Sequence, residues 1–290
     1  MKKLLFAFAL TGLLFSCKNS GKPTEEVAET SPLSDFAENY LKTGGDLRNT
    51  QSVADFLALS GTTFMPALVN DPMNFESYKG NKLKAAANIG VYMADGLYQV
   101  SLDKDYEGYM SVAAAKQLSI ELGIEEVLDE ILIDRYAISE HTADTILAVL
   151  KDALVKSETA LTAKNEQEIF AAILVGNYIE KLYHLFANIL EYPVDLPEES
   201  KMLILRDVLK VTQVELDMLP KAIALVEQYK KQDPAYLLEE LKKLNEIHIA
   251  SRISEEEAEK LTPAMVFENV QIRAMYTEIK NMRNYIVATE

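Results

Sequence analysis

Asp95, Glu180 and His184 are the side chains whose types and neighbours suit them to chemistry. Glu180 and His184 stand four residues apart, so on a helix they share a face, where a carboxylate and an imidazole can supply two metal ligands, with Glu191 two turns beyond. Two ligands do not make a site. A structural metal takes four, and the chain holds three histidines. The carboxylate-rich di-iron pattern, with Glu-x-x-His pairs on two helices, is absent, so no metal ligand set and no cofactor is expected. The plainer reading is a solvated stripe: Asn177, Lys181, His184, Asn188 and Glu191 recur at helical spacing, as on the wet face of an otherwise buried helix.

Asp95 lies among Tyr92, Met93, Leu97 and Tyr98, where a buried carboxylate is costly without partners. One reading pairs it with Asn88, a tyrosine hydroxyl or Glu180 from a crossing helix, giving a polar pocket and a raised pKa. The other, which the sequence favours, makes Asp95 the end of a solvated stripe with Gln99. Tyr92, Tyr98, Tyr106 and Tyr109 have the composition of an aromatic ligand cage, but helix packing accounts for them equally well. The ligand-binding candidates are therefore Asn88, Tyr92, Asp95, Tyr98, Glu180 and His184. His141, in a first helical turn, and His248, near a helix C-terminus, read as surface residues. There is no Gly-rich phosphate loop after a strand and no Gly-x-Ser-x-Gly elbow, so nucleophilic catalysis has no candidate.

The elements that must position these groups are helices. From Ser34 onward apolar residues recur at helical spacing, and no alternating β-branched run bounded by turns is present. An all-α, irregular multi-helix bundle forming a single domain over 34–290 follows. Helices are expected near 34–43, 50–59, 82–101, 105–122, 124–133, 139–163, 165–191, 197–231 with a break at Pro220, 234–249 and 263–287. Asp233-Pro234 and Thr262-Pro263 each set an N-cap acceptor before a proline, Ser254 with Glu257 reads as a capping box, and Tyr192 to Pro197 is a connection. Gly61 to Gly80 is the longest irregular stretch, read as a loop pinned by its apolar residues with a short helical turn inside.

Two helices are unusual. Ala86, Gly90 and Ala94 make a smooth ridge at i, i+4 and i+8, and Ala172 with Gly176 makes another. An interior glycine costs about 1 kcal/mol relative to alanine, so Gly90, Gly96 and Gly176 need a cause such as a close crossing, and the two helices are expected to cross near Gly90 and Gly176.

The front of the chain is an address. Lys2 and Lys3 precede the apolar run Leu4 to Phe15, too short for the roughly 20 residues of a membrane-spanning helix, and then come Ser16 and Cys17. Leu14-Phe15-Ser16-Cys17 resembles a bacterial lipobox. That resemblance implies cleavage of the signal peptide 1–16 and lipid on Cys17, and several acyl chains hold a protein to a membrane where one does so marginally. Residues 18–33, rich in Ser, Gly, Pro, Thr and Glu, read as a tether. Lys18-Asn19-Ser20 lacks the acidic residues that resemble retention or surface-export signals, so an outer-membrane anchor facing the periplasm is expected.

Asn88, Gly90, Tyr92, Ala94-Asp95 and Tyr98, followed by Lys116 to Ile124 and by the Gly176 to Tyr183 segment, resemble the motifs of a group of uncharacterised all-helical Bacteroidota lipoproteins. Gly96 stands where that pattern has a larger residue. The resemblance implies a helical lipoprotein and brings no activity with it.

Twenty-nine Lys and Arg against 45 Asp and Glu give a net charge of −16, which repels a phosphate backbone and excludes nucleic acid as the expected partner. One cysteine and no tryptophan leave no disulfide framework. The expected function is a non-enzymatic, lipid-anchored envelope module that binds a protein or small molecule in a groove beside the Gly90/Gly176 crossing. The alternative is an enzyme or metal-dependent binder around Asp95, Glu180 and His184. If the alternative holds, these groups converge in one pocket; if the scaffold reading holds, Glu180 and His184 point to water.

Overall fold

Helices account for every regular element among the described residues, which in this computed structural model are 32–43, 64–129, 143–190, 209, 211–229, 235–252 and 260–289. The expected helix at 50–59, the Asp233-Pro234 start, the Ser254/Glu257 box, His141 and the Tyr192 to Pro197 connection lie outside them. The long helices are α1 (Pro32–Thr43), α2 (Lys82–Val100), α3 (Asp105–Leu122), α4 (Ala143–Ala163), α5 (Gln167–Leu190), α6 (Leu219–Gln228), α7 (Ala235–Ser251) and α8 (Val270–Val287). They pack as an irregular all-α bundle. Ser31–Glu290 forms one compact unit, and no helix among the described residues is long and apolar enough to cross a membrane.

Local chemistry sets the boundaries. Asn81 caps α2 by accepting the Lys84 N–H at 3.1 Å. Gly123, at φ +62°, ends α3 in the left-handed conformation, and the Ile124 N–H returns to the Ser119 carbonyl at 3.1 Å while its side chain is buried. Thr262 Oγ1 accepts from the Met265 N–H, as the Thr-Pro start requires. The helix expected over 263–287 is broken, however. Pro263–Phe267 is a separate short helix, and Asn269 caps α8 by accepting from the Gln271 and Ile272 N–H groups at 2.8 and 3.0 Å. Asn269 competes successfully for backbone donors that a continuous helix would have used. The Pro220 break is present: residues 211–216 are helical, 217–218 turn, and α6 starts with proline in its first turn.

α2 and α5 form the centre and cross at their glycines. A Cβ on Gly90 would stand 2.1 Å from the Ile173 carbonyl oxygen, and one on Gly176 would stand 2.1 Å from that of Ala87, so each glycine meets backbone rather than side chain. Asn177 Nδ2 donates to the Gly90 carbonyl at 2.9 Å and thereby ties the two helices at the contact. Gly96 serves a second close approach, because its Cβ would lie 2.9 Å from Val112 Cγ2 on α3. Around the pair, α8 packs on α5, α2 and α7, α7 packs on α6, and α6 meets α1. The strap 64–81 carries two single-turn helices, Pro66–Leu68 and Pro72–Asn74, and the helical turn Phe75–Tyr78. Leu68 and Tyr78 are buried, as a pinned loop demands, but so is the polar Asn70.

Candidate functional site

The α2/α5 crossing carries Asp95 and Glu180 into the same interior. Asp95 and Glu180 are 0% exposed and His184 is 5% exposed, so the stripes expected to be solvated turn inward at these positions, while Glu191 lies outside the described residues. Gln99 is also buried, and meets the Ser111 hydroxyl at 2.7 Å. Lys181 is buried against Glu215 at 2.7 Å, and Asn188 is buried too. A polar stripe at helical spacing looks the same in sequence whether water or other polar groups cover it. Here protein covers it. His248, expected at the surface, is buried as well, with Nε2 3.1 Å from Asp217 Oδ1, and Arg252 shares that carboxylate.

Two elements besides α2 and α5 complete the cluster, the strap and α8. The strap contributes the Asn70 N–H, which donates to Asp95 Oδ2 at 3.0 Å, and Asn70 Nδ2 donates to the Tyr78 hydroxyl at 3.1 Å. The Tyr78 hydroxyl in turn donates to the Val287 carbonyl, and Asn88 Nδ2 donates to the Ile286 carbonyl, both at 2.9 Å, at the end of α8. α8 also sends in Arg283, whose Nε lies 3.3 and 3.2 Å from Glu180 Oε1 and Oε2 and whose guanidinium covers the Tyr183 ring at 5.1 Å. Tyr98 stacks on the His184 ring with centroids 4.4 Å apart.

At the centre, His184 Nε2 stands 3.1 Å from Asp95 Oδ1 and 3.7 Å from Glu180 Oε1. The first contact is close in distance but misdirected for a hydrogen bond, and neither His184 Nε2 nor Asp95 Oδ1 has a hydrogen-bond partner among the described residues.

Burial governs the charges. It drives the Asp95 carboxyl up to about 7, partly opposed by the Asn70 N–H and by Arg283, and drives Glu180 up to about 8, with the Asp95 charge adding to the rise and Arg283 opposing it. It drives His184 down to about 4. At neutral pH the imidazole is therefore uncharged, and two carboxyls share one guanidinium and about one proton.

Of the candidates named from sequence, the cluster brings together Asp95, Glu180 and His184, with Tyr98 stacked against the imidazole and Asn88 joined through Asn70, whose Nδ2 lies 3.3 Å from Asn88 Oδ1. Tyr92 is buried beside Tyr78 and donates to the Asp71 carbonyl at 2.9 Å, so its hydroxyl is spent on the strap. The four tyrosines do not form a cage: Tyr92 and Tyr98 are buried, whereas Tyr106 is exposed and Tyr109 sits at the boundary. Sequence reasoning missed Asn70 and Arg283. Asn70 lies inside the irregular stretch Gly61 to Gly80 with no local signal to single it out, while Arg283 interrupts the apolar i, i+4 row of Met275 and Ile279, a charge on a buried face that marks it in hindsight.

A second feature lies on the other flank of the crossing. Ala87 and Lys84 of α2, Ala171, Ala172 and Val175 of α5, Glu168, Leu225, Tyr229, Leu237 and Ile286 line a mostly apolar groove of about 530 Å³. That volume suits one small molecule. Lys84 has no ion pair among the described residues; its ammonium lies 5.9 Å from the Tyr78 ring. Lys84 and Ile286, both lining the groove, are also the residues whose carbonyls hold Asn88 Nδ2.

No protein-family model, curated protein or solved structure matches the chain. The geometry of the groove and of the buried cluster therefore carries the functional argument.

Proposed function

We propose that the chain is a lipid-anchored protein of the bacterial envelope that holds a small molecule with an apolar body and an anionic end in the groove beside the Gly90/Gly176 crossing, without acting on it chemically. The anchor part of the reading rests on Lys2, Lys3, the apolar run and Cys17, with 18–33 as the tether and the periplasmic side of the outer membrane as the place. It agrees with the resemblance to Bacteroidota lipoproteins. The observation that carries the binding part is the groove itself. Its lining of alanines, leucines and Val175 rewards an apolar body, and the Lys84 ammonium, which has no ion pair among the described residues, complements an anionic end placed away from Glu168.

A dansylated fatty acid is the probe. Its fluorescence should rise on addition of the purified protein, and Ala172→Phe, which fills the groove, should weaken binding by about tenfold or more, equivalent to at least ~1.4 kcal/mol. Lys84→Gln should weaken the anionic probe more than its methyl ester. Equal affinity in the wild type and Ala172→Phe, with unchanged thermal midpoints, would remove the groove as the binding place.

Glu180 and His184 do not point to water, as the scaffold reading expected, but converge with Asp95, and this convergence favours a second reading, a metal-dependent binder or enzyme. Those groups are almost wholly buried, so a substrate reaches them only if the strap or α8 moves.

A further inference from the structure

We propose that Asp95, Glu180 and His184 form a binding site for one divalent transition-metal ion of the zinc class, a site independent of the groove. One imidazole nitrogen and two carboxylate oxygens, from facing helices, lie within 4.8 Å of one another. His184 Nε2 is buried without a hydrogen-bond partner among the described residues. It faces one oxygen of each carboxyl, 3.1 Å from Asp95 Oδ1 and 3.7 Å from Glu180 Oε1, so three atoms able to act as acceptors converge. Acceptors held this way need a shared positive species, and the choices are a proton or a cation.

The outer contacts are those of a ligand set. The Asn70 N–H holds Asp95 Oδ2 while leaving Oδ1 inward, and Arg283 Nε lies against both oxygens of Glu180. The two carboxyls are thereby oriented by further contacts, as metal ligands are in proteins. A mixed nitrogen and carboxylate set suits zinc and its neighbours better than magnesium or calcium, which take oxygen alone. Three protein ligands leave a fourth position.

Charge decides what fills that position. Two carboxylates, Arg283 and a divalent ion leave one positive charge in a buried space, so the ion brings an anion such as hydroxide or chloride. Arg283 Nη2 is buried with no hydrogen-bond partner among the described residues and is the donor left to receive it. Metal and protons compete for the same ligand atoms, so affinity rises with pH.

The test uses the purified protein, unfolded in urea with chelator, freed of both and refolded with or without zinc chloride, because the buried ligands load most readily as the chain folds. One zinc per chain should survive gel filtration and raise the thermal midpoint by about 5 °C. His184→Gln and Asp95→Asn should bind roughly a hundredfold more weakly, whereas His248→Gln, a control at the histidine paired with Asp217, should retain one zinc. X-ray absorption on the wild-type zinc form gives a readout that needs no variant to fold, and should show an imidazole with oxygen ligands at about 2.0 Å. Wild-type protein that retains no zinc, a spectrum with sulfur or without imidazole, or undiminished binding in folded His184→Gln would each overturn the site. None of these outcomes bears on fatty-acid binding in the groove.

Discussion

Replacing Gly176 with alanine is expected to destabilise the protein by about 3 kcal/mol or more and lower the thermal midpoint by roughly 6 °C or more. The added methyl would lie 2.1 Å from the Ala87 oxygen, 2.8 Å from its carbonyl carbon and 2.9 Å from its Cα. All three are backbone atoms of a helix, so no rotamer change relieves the overlap, and α2 and α5 must move apart. Gly96→Ala is the control on the same helix pattern. Its methyl would meet Val112 Cγ2 at 2.9 Å and the Gly108 carbonyl oxygen at 3.3 Å, a much shallower overlap than at Gly176, and alanine recovers about 1 kcal/mol of helix propensity. Its cost should therefore be clearly smaller than that of Gly176→Ala. Circular dichroism melts of the two variants compare them directly, and equal losses would mean that the Gly176 contact is looser than the geometry implies.

Replacing Arg283 with methionine should be nearly as damaging, at about 3 kcal/mol in metal-free protein at pH 8, because it leaves the Glu180 carboxylate buried without its cation. The loss should shrink as pH falls, since a proton can then replace the guanidinium. Metal-free wild type carries a weaker version of the same dependence. The folded-state pKa values of Asp95 and Glu180 are raised, so the stability they contribute is full below the unfolded carboxylate range and is lost as pH rises toward 7 and 8. His184 is lowered to about 4, so its folded form gains stability as pH rises from there to the ordinary histidine range. The two effects oppose each other up to about pH 6.5, and above it only the carboxyls act. The wild-type midpoint in chelator should therefore fall between pH 6.5 and 8.5, by on the order of 4 °C. Urea melts of Arg283→Met across that range should show a steeper fall, and a flat profile in both proteins would mean that neither carboxyl is buried in its ionised form.

Much of the architecture was legible in the residues themselves. Ala86, Gly90 and Ala94 on one helix and Ala172 with Gly176 on the other announce a close crossing, because an interior glycine costs stability unless something uses the space. The helix start at Pro263 was equally plain from Thr262. The break at Asn269 was not, since the apolar rhythm runs through it and only the competition for the Gln271 and Ile272 N–H groups reveals it.

The buried cluster was half legible. The i, i+4 spacing of Glu180 and His184 and the apolar surroundings of Asp95 singled out the right side chains, yet the face they occupy was misjudged. Helical periodicity reports that polar residues share a face and says nothing of what covers it. The cover is supplied by Asn70, Arg283 and Glu215, which lie in the strap, in α8 and near residues 211–216. Contacts spanning 25 to 103 residues of sequence bring Asn70 to Asp95 and Arg283 to Glu180, and no local pattern encodes them. The groove shares this property, because its walls come from α2, α5, α6, α7 and α8.

Paired native and denaturing mass spectra of the purified protein test the central claim, that the groove holds a small molecule. The account expects a reproducible organic adduct on the folded chain that disappears on denaturation, carries a carboxylate or similar anionic group, and is absent from Ala172→Phe. Wild-type protein that stays bare after incubation with a fatty acid, under conditions where a serum albumin control retains it, would contradict the account.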